Sequence, residues 1–150
     1  MTAFADFLTA LRKNLSEGEA TEHTHRPALI SFLEALDSGI VATNEPKYLA
    51  LVGAPDIKVL RKKVPLGYIE TKDIGTDLNE MGRGRGPHGE QFRRYRDGLV
   101  NWILTDYLEF RWFVGGEKRL TARIGEIDAK GKLKPVPDRR GDHCAWRLAD

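Results

Sequence analysis

Residues 52–73, VGAPDIKVLRKKVPLGYIETKD, decide how the chain folds. From Asp56 to Leu60 polar and apolar residues alternate, Ile57 and Val59 on one face and Asp56 and Lys58 on the other, the period-two signature of a half-buried strand. LRKKVP reads as a turn with a basic tip. LGYIETKD is the returning strand, with Ile69 and Thr71 facing one way and Tyr68, Glu70 and Lys72 the other. A hairpin folded at RKKVP sets Asp56 beside Glu70, while Glu70 and Lys72 leave their strand on one face, roughly 7 Å apart. Gly53 and Pro55 allow a sharp bend before the first strand. Two acids and a lysine gathered this way are unusual on strands that only pack a core.

On the N-terminal side, Phe4, Phe7, Leu8, Leu11 and Leu15 recur at helical spacing, which predicts an amphipathic helix over 3–15. A second helix carries Leu29, Ile30, Phe32, Leu33 and Leu36 and stops near Ser38-Gly39; Thr21 and Thr24 are both candidate N-caps, and Pro27 favours Thr24. Leu49, Leu51 and Val52 suggest a short strand. On the C-terminal side, DIGTDLNEMGRGRGPHG is a glycine-rich loop with a short helical piece, and EQFRRYRDGL a helix beginning after Pro87. NWILTD and YLEFRWFV are two strands, RLTARIGEI an edge strand, and residues 129–150, rich in Pro, Gly and charge, a linker or appended tail. Helices, then strands, a helix and strands again give an α/β domain over 1–128, a mixed β-sheet flanked by helices.

The whole chain, 150 residues with a hydrophobic fraction of 41% and a charged fraction of 31%, has the length and composition of one globular domain. A net charge of +2 does not by itself announce nucleic acid. One cysteine, Cys144, excludes an internal disulfide framework and suits a reducing cytoplasm. MTAFADFLTALRKNL lacks a signal-peptide core, and no apolar run approaches the ~20 residues of a membrane span.

The chemistry follows from residue type. Phosphodiester hydrolysis is very slow uncatalysed. Carboxylates hold hard divalent cations, which stabilise the charged transition state and sharpen bound water as a nucleophile. A nearby lysine orients that water and offsets negative charge. Asp56, Glu70 and Lys72 supply these parts within seventeen residues. Read as bare pattern, the same three also describe a solvated strand face with a cross-strand salt bridge.

PD at 55–56 followed by ETK at 70–72 resembles the motif of the PD-(D/E)xK nuclease superfamily. TEHTHRPAL, EPK, GAPD, GYIETKDIG, EQFRRY and LTDYLEFRWF, in that order between Thr21 and Phe113, resemble something narrower. They are similar to the N-terminal Mrr/RecB-like nuclease domain of single-chain, type ISP-like restriction–modification enzymes. The resemblance implies a restriction-endonuclease-like fold and Mg²⁺-dependent cleavage of double-stranded DNA, with Mn²⁺ able to substitute. It also implies helicase and adenine-methyltransferase parts in the same enzyme. Carried over residue by residue, it makes Asp56 and Glu70 metal ligands, with the Thr71 carbonyl, and makes Lys72 the residue that places the hydrolytic water. Glu22 matches an additional, often water-bridged acid. Gln91 and Tyr95 resemble the QxxxY motif of RecB-like nucleases. Glu22 also reads as a helix N-terminal acid, and Gln91 with Tyr95 as a half-buried helix face.

Arg83, Arg85, Arg93, Arg94 and Arg96 fall within fourteen residues whose only acid is Glu90. Such a cluster is either a solvated face or a grip on DNA phosphates that is salt-dependent and indifferent to base sequence. Arg61, Lys62 and Lys63 are weaker candidates. His23 and His25 diverge on a helix and His143–Cys144 lacks companions at zinc spacing, so the histidines form no metal cage. Trp102, Phe110, Trp112 and Phe113 are core or interface residues. The alternatives to a restriction module are a non-catalytic DNA-binding or assembly domain of the same fold, and a stand-alone repair or Mrr-like nuclease.

Overall fold

The computed structural model describes residues 2–44 and 46–136. Helix α1 (Ala3–Ser16) starts at Thr2, whose hydroxyl accepts from the Ala5 N–H at 3.1 Å. It buries Phe7, Leu8 and Leu11 against α2 (Glu22–Leu36), with the Phe7 and Phe32 rings stacked at 4.8 Å. Helix α2 begins at Thr21, three residues before the expected Thr24. The Thr21 N–H donates to Thr24 Oγ1 at 3.1 Å, closing one side of a capping box, and the Glu22 N–H donates to Asp73 Oδ1 at 2.7 Å. These two acceptors satisfy helix-end donors that a start at Thr24 would leave in coil, and Pro27 is carried one turn deeper.

Strand β1 (Ile40–Asn44), which the sequence pattern did not predict, follows three residues after α2 and buries Ile40 and Ala42. Val41 beside Ile40 hides the alternation. The strand expected around Leu49–Val52 is instead a tight turn with a single bridge between Leu49 and Gly53. Val52 is buried there, while Leu51 stands out at φ 66°, 92% exposed.

Strands β2 (Ile57–Arg61) and β3 (Val64–Thr71) form the predicted hairpin, turned by Lys62 and Lys63, both at positive φ (49° and 70°). A crossover through α3 (Leu78–Gly82) and α4 (Gly89–Gly98) leads to β4 (Asn101–Thr105), parallel to β3. β5 (Glu109–Val114) and β6 (Glu117–Arg123) continue antiparallel, giving a six-stranded mixed sheet in the order β1-β2-β3-β4-β5-β6. Ile57 and Ile69 turn one sheet face to α1 and α2; Trp102, Leu104 and Phe113 turn the other to Phe92 and Tyr95 of α4. The sheet is thus flanked by helices on both faces.

Residues 129–136, read from sequence as linker, include β8 (Leu133–Pro135), which pairs with β7 (Gly125–Ile127). Leu133 is buried in the α1/α2 core. Strand pairing and an apolar anchor hold this hairpin despite its loop-like composition. Residues 137–150, with His143 and Cys144, lie outside the described residues. No helix among the described residues is long and apolar enough to cross a membrane.

Candidate active site

The site sits where β2 starts and β3 ends. Ile57 pairs with Ile69, so Asp56, one residue before, comes opposite Glu70, one residue after. Asp56 is fixed there by Thr71: the Thr71 N–H and Oγ1–H both donate to Asp56 Oδ2 at 2.8 Å. Glu70 and Lys72 share the face turned to α4. Lys72 Nζ donates to Glu70 Oε1 at 2.9 Å and to Gln91 Oε1 at 2.7 Å, and the Gln91 amide reaches the Tyr95 hydroxyl at 3.4 Å. One turn of α4 separates Gln91 from Tyr95, so a single helix face supports the lysine. The structure therefore brings Asp56, Glu70, Thr71, Lys72, Gln91 and Tyr95 together.

These groups lie deep. The Glu70 and Lys72 side chains are 5% and 6% exposed and Asp56 14%. Burial first, then the Asp56 charge, pushes the Glu70 carboxyl up to about 7, against the opposing pull of Lys72. Burial and the charges of Glu70 and Asp56 raise the Tyr95 hydroxyl, keeping it neutral. A cleft of about 600 Å³ opens over the site, lined by Glu22, Arg26, Asp56, Glu70, Lys72 and Gln91, with Arg94 at its side.

Among the described residues no three His, Cys, Asp or Glu side chains gather in ion-holding geometry. Asp56 and Glu70 are a pair, and Glu22 lines the same cleft, its Oε1 3.7 Å from the Arg26 Nη2 that also reaches Asp56. The donor set still suits a hard cation. Glu70 Oε2 is buried with no hydrogen-bond partner, an arrangement that costs about 1–3 kcal/mol or more unless something completes it. Mg²⁺ binds through one or two carboxylates and keeps several waters, so Asp56 and Glu70 fit it.

Arg26 is the residue the sequence reading missed. Its buried guanidinium donates to Asp56 Oδ1 at 2.6 Å, and it reaches Asn44 Oδ1 and Thr71 Oγ1 at 3.4 Å. One signal was present: Arg26 extends the stripe of Leu29 and Leu33 by one turn, a charge where an apolar residue belongs. His25 beside it is also buried, against Tyr107, and burial lowers its pKa. Asp73, directly after Lys72, and the Tyr107 hydroxyl, which donates to the Glu22 carbonyl, tie the start of α2 to this end of the sheet.

The arginines divide. Arg94 lines the cleft and makes no ion pair among the described residues. Arg83 pairs with Glu80 at 2.6 Å, Arg96 with Asp97 at 2.9 Å, and Arg93 donates to the Gly84 carbonyl at 3.3 Å. Arg85 borders a separate depression of about 260 Å³ with Asp77 and Glu80. The structure does not bring these four to the cleft over Asp56.

No family model and no curated protein matches the chain. Among solved structures, it is similar to a chain of the DrdV–DNA complex determined by cryo-EM. The TM-score is 0.63 and the identity 22%, over 81% of this chain and 12% of that one. The chain thus spans about an eighth of the chain it matches. The fold is restriction-endonuclease-like: a mixed sheet between helices, with the acidic pair at the end of its central hairpin.

Proposed function

We infer that this chain is a Mg²⁺-dependent DNA endonuclease domain, the cleavage module of a restriction–modification enzyme. The observation that carries the reading is the buried trio itself: a carboxylate pair, one oxygen of it without a partner, with an ammonium group held beside it under an open cleft. The likeness to a chain from a DNA complex supports the choice of polymer. The short span of that match supports a place within a longer enzyme, and helicase and adenine-methyltransferase parts belong to this proposal.

Asp56 and Glu70, with the Thr71 carbonyl, would hold the ion, and Glu22 would reach it through water. A divalent ion bound there supplies stabilisation of the charge developing on the phosphate. Lys72 has three N–H bonds; two are used by Glu70 and Gln91, leaving one to hold water in the cleft. The water oxygen would bond to phosphorus as the P–O ester bond opposite it breaks; the proton the water loses passes to solvent and the leaving oxygen takes one up from solvent, giving a phosphate monoester and an alcohol. Gln91 keeps Lys72 from turning wholly onto Glu70, so the ammonium group is placed before substrate arrives. Arg94 at the cleft side meets a neighbouring phosphate.

One observation favours a second reading, a non-catalytic DNA-binding domain: Arg26 already covers Asp56 Oδ1. Plasmid cleavage separates the two. The wild-type chain should cut with Mg²⁺ or Mn²⁺ and not with EDTA, and Asp56→Ala and Lys72→Met should lower the rate by about 10²-fold or more. Equal cutting by Asp56→Ala, or cutting that survives EDTA, would overturn the nuclease reading.

A further inference from the structure

We propose that Arg26 competes with the divalent ion for Asp56, so that the site takes metal readily only when a substrate phosphate draws the guanidinium away. This rests on the nuclease reading and concerns how its site is loaded.

The geometry leaves little choice of oxygen. Asp56 Oδ2 is committed to the Thr71 N–H and hydroxyl, and Oδ1 receives Arg26 Nη2 at 2.6 Å. An ion reaching Asp56 from the cleft must share Oδ1 with a guanidinium or displace it. A divalent ion and an arginine a few ångströms apart in a site only 14% exposed at Asp56 repel by several times the thermal energy.

Charge points the same way. Among the described residues the Asp56 and Glu70 carboxyls face the buried Arg26 and Lys72 cations, with Glu22 3.7 Å from Arg26 Nη2 at the cleft wall. A DNA phosphate brings negative charge to offset the two positive charges that an ion adds. That phosphate is also the anion a displaced guanidinium would seek, since the planar fork of arginine matches phosphate oxygens in two-point geometry. Glu22, 3.7 Å from Arg26 Nη2, marks a second position on the cleft wall for the guanidinium.

Arg26 is not needed as the only tie between α2 and the sheet. Asp73 Oδ1 accepts from the Glu22 N–H at 2.7 Å, and the Tyr107 hydroxyl donates to the Glu22 carbonyl. A role beyond anchoring is therefore open to it, and the pairing with Asp56 is its shortest contact among those described.

The test is a Mn²⁺ titration of the DNA-free 150-residue chain by calorimetry, comparing wild type, Arg26→Gln, Arg26→Lys and Asp56→Asn. Arg26→Gln should bind Mn²⁺ at least tenfold tighter than wild type. Arg26→Lys, which keeps the charge, should return to weak binding, and Asp56→Asn should abolish the gain when combined with Arg26→Gln. Should Arg26→Gln fold only with Mn²⁺, its melting temperature should rise with Mn²⁺ more steeply than that of wild type, which carries the same conclusion. Equal or weaker binding by Arg26→Gln, or failure to fold at saturating Mn²⁺, overturns the proposal. If Asp56→Asn weakens binding while Arg26→Gln does not change it, only this proposal fails. If no variant, wild type included, binds Mn²⁺, the nuclease reading fails and takes the proposal with it.

Discussion

Glu70 is a carboxyl group whose surroundings work against its charge. Its folded pKa is pushed up to about 7 from an ordinary 4.5, by burial first and then by Asp56. The unfolded chain therefore releases this proton at lower pH than the folded one. Glu70 contributes stability that is fully present below pH 4.5 and is lost as pH rises through 7. In EDTA, Glu70→Gln should flatten this pH dependence, the variant losing less stability than wild type as pH rises through 7. Denaturant melts of both proteins between pH 4 and 8 measure the difference; parallel pH dependences would contradict it. Asp56, Glu70 and Lys72 were legible as residues because a period of two fixes which side chains share a face. Arg26 was not, because its partner is thirty residues away and helix periodicity says only that position 26 points inward.

At the scale of elements, the glycine-rich segment before α4 shows what sequence order concealed. Gly84 and Gly86 adopt positive φ (70° and 72°), and Gly89 packs so closely on Gly84 that a Cβ at 89 would lie 2.3 Å from the Gly84 carbonyl carbon. This fold-back sets the first turn of α4, and so the position of Gln91 beneath Lys72. Gly89→Ala should destabilise the domain by ~1–3 kcal/mol, the range expected when an added methyl forces backbone apart. Cleavage should fall beyond what the loss of folded protein explains, since Gln91 shifts with the helix. A melting temperature and cleavage rate equal to wild type would show the loop free to give way. The same limits apply to β1 and the Leu49–Gly53 turn. β1 is a strand because β2 pairs with it from Ile40↔Arg61 to Asn44↔Ile57, whereas the Leu-rich turn has an alternation of apolar residues and no partner strand.

For the whole molecule, the described fold runs on to Val136 because Leu133 enters the α1/α2 core and the Val136 N–H donates to the Ile124 carbonyl at 3.1 Å. A chain ended at Asp128 should lose ~2–4 kcal/mol, the range for emptying a buried leucine site, read by urea denaturation; undiminished stability would make the hairpin an appendage. DNA affinity tests the arginine surface at the same scale. Each phosphate contact adds about 0.9 to the slope of log affinity against log salt. Arg94→Ala should lower that slope by about one, because Arg94 borders the cleft. Arg96→Ala, whose guanidinium is held by Asp97 at 2.9 Å, should leave it nearly unchanged. Binding curves between low and moderate salt distinguish the two, and equal slopes for both variants would assign the contact to the cluster as a whole.

The sequence by itself determined the hairpin, the amphipathic helices and the acid–acid–lysine set, since each follows from local periodicity or from residues joined by one short turn; the mixed sheet followed from the order of the elements, its parallel β3–β4 pair being joined by a crossover through two helices. Only the tertiary structure decided that Arg26 covers Asp56, that the same guanidinium lies 3.7 Å from Glu22, that Arg94 alone of its cluster borders the cleft, and that the strand at 133–135 belongs to the core. Those outcomes depend on long-range partners and on the burial of charge, which are properties of packed faces and leave no periodic trace in the chain.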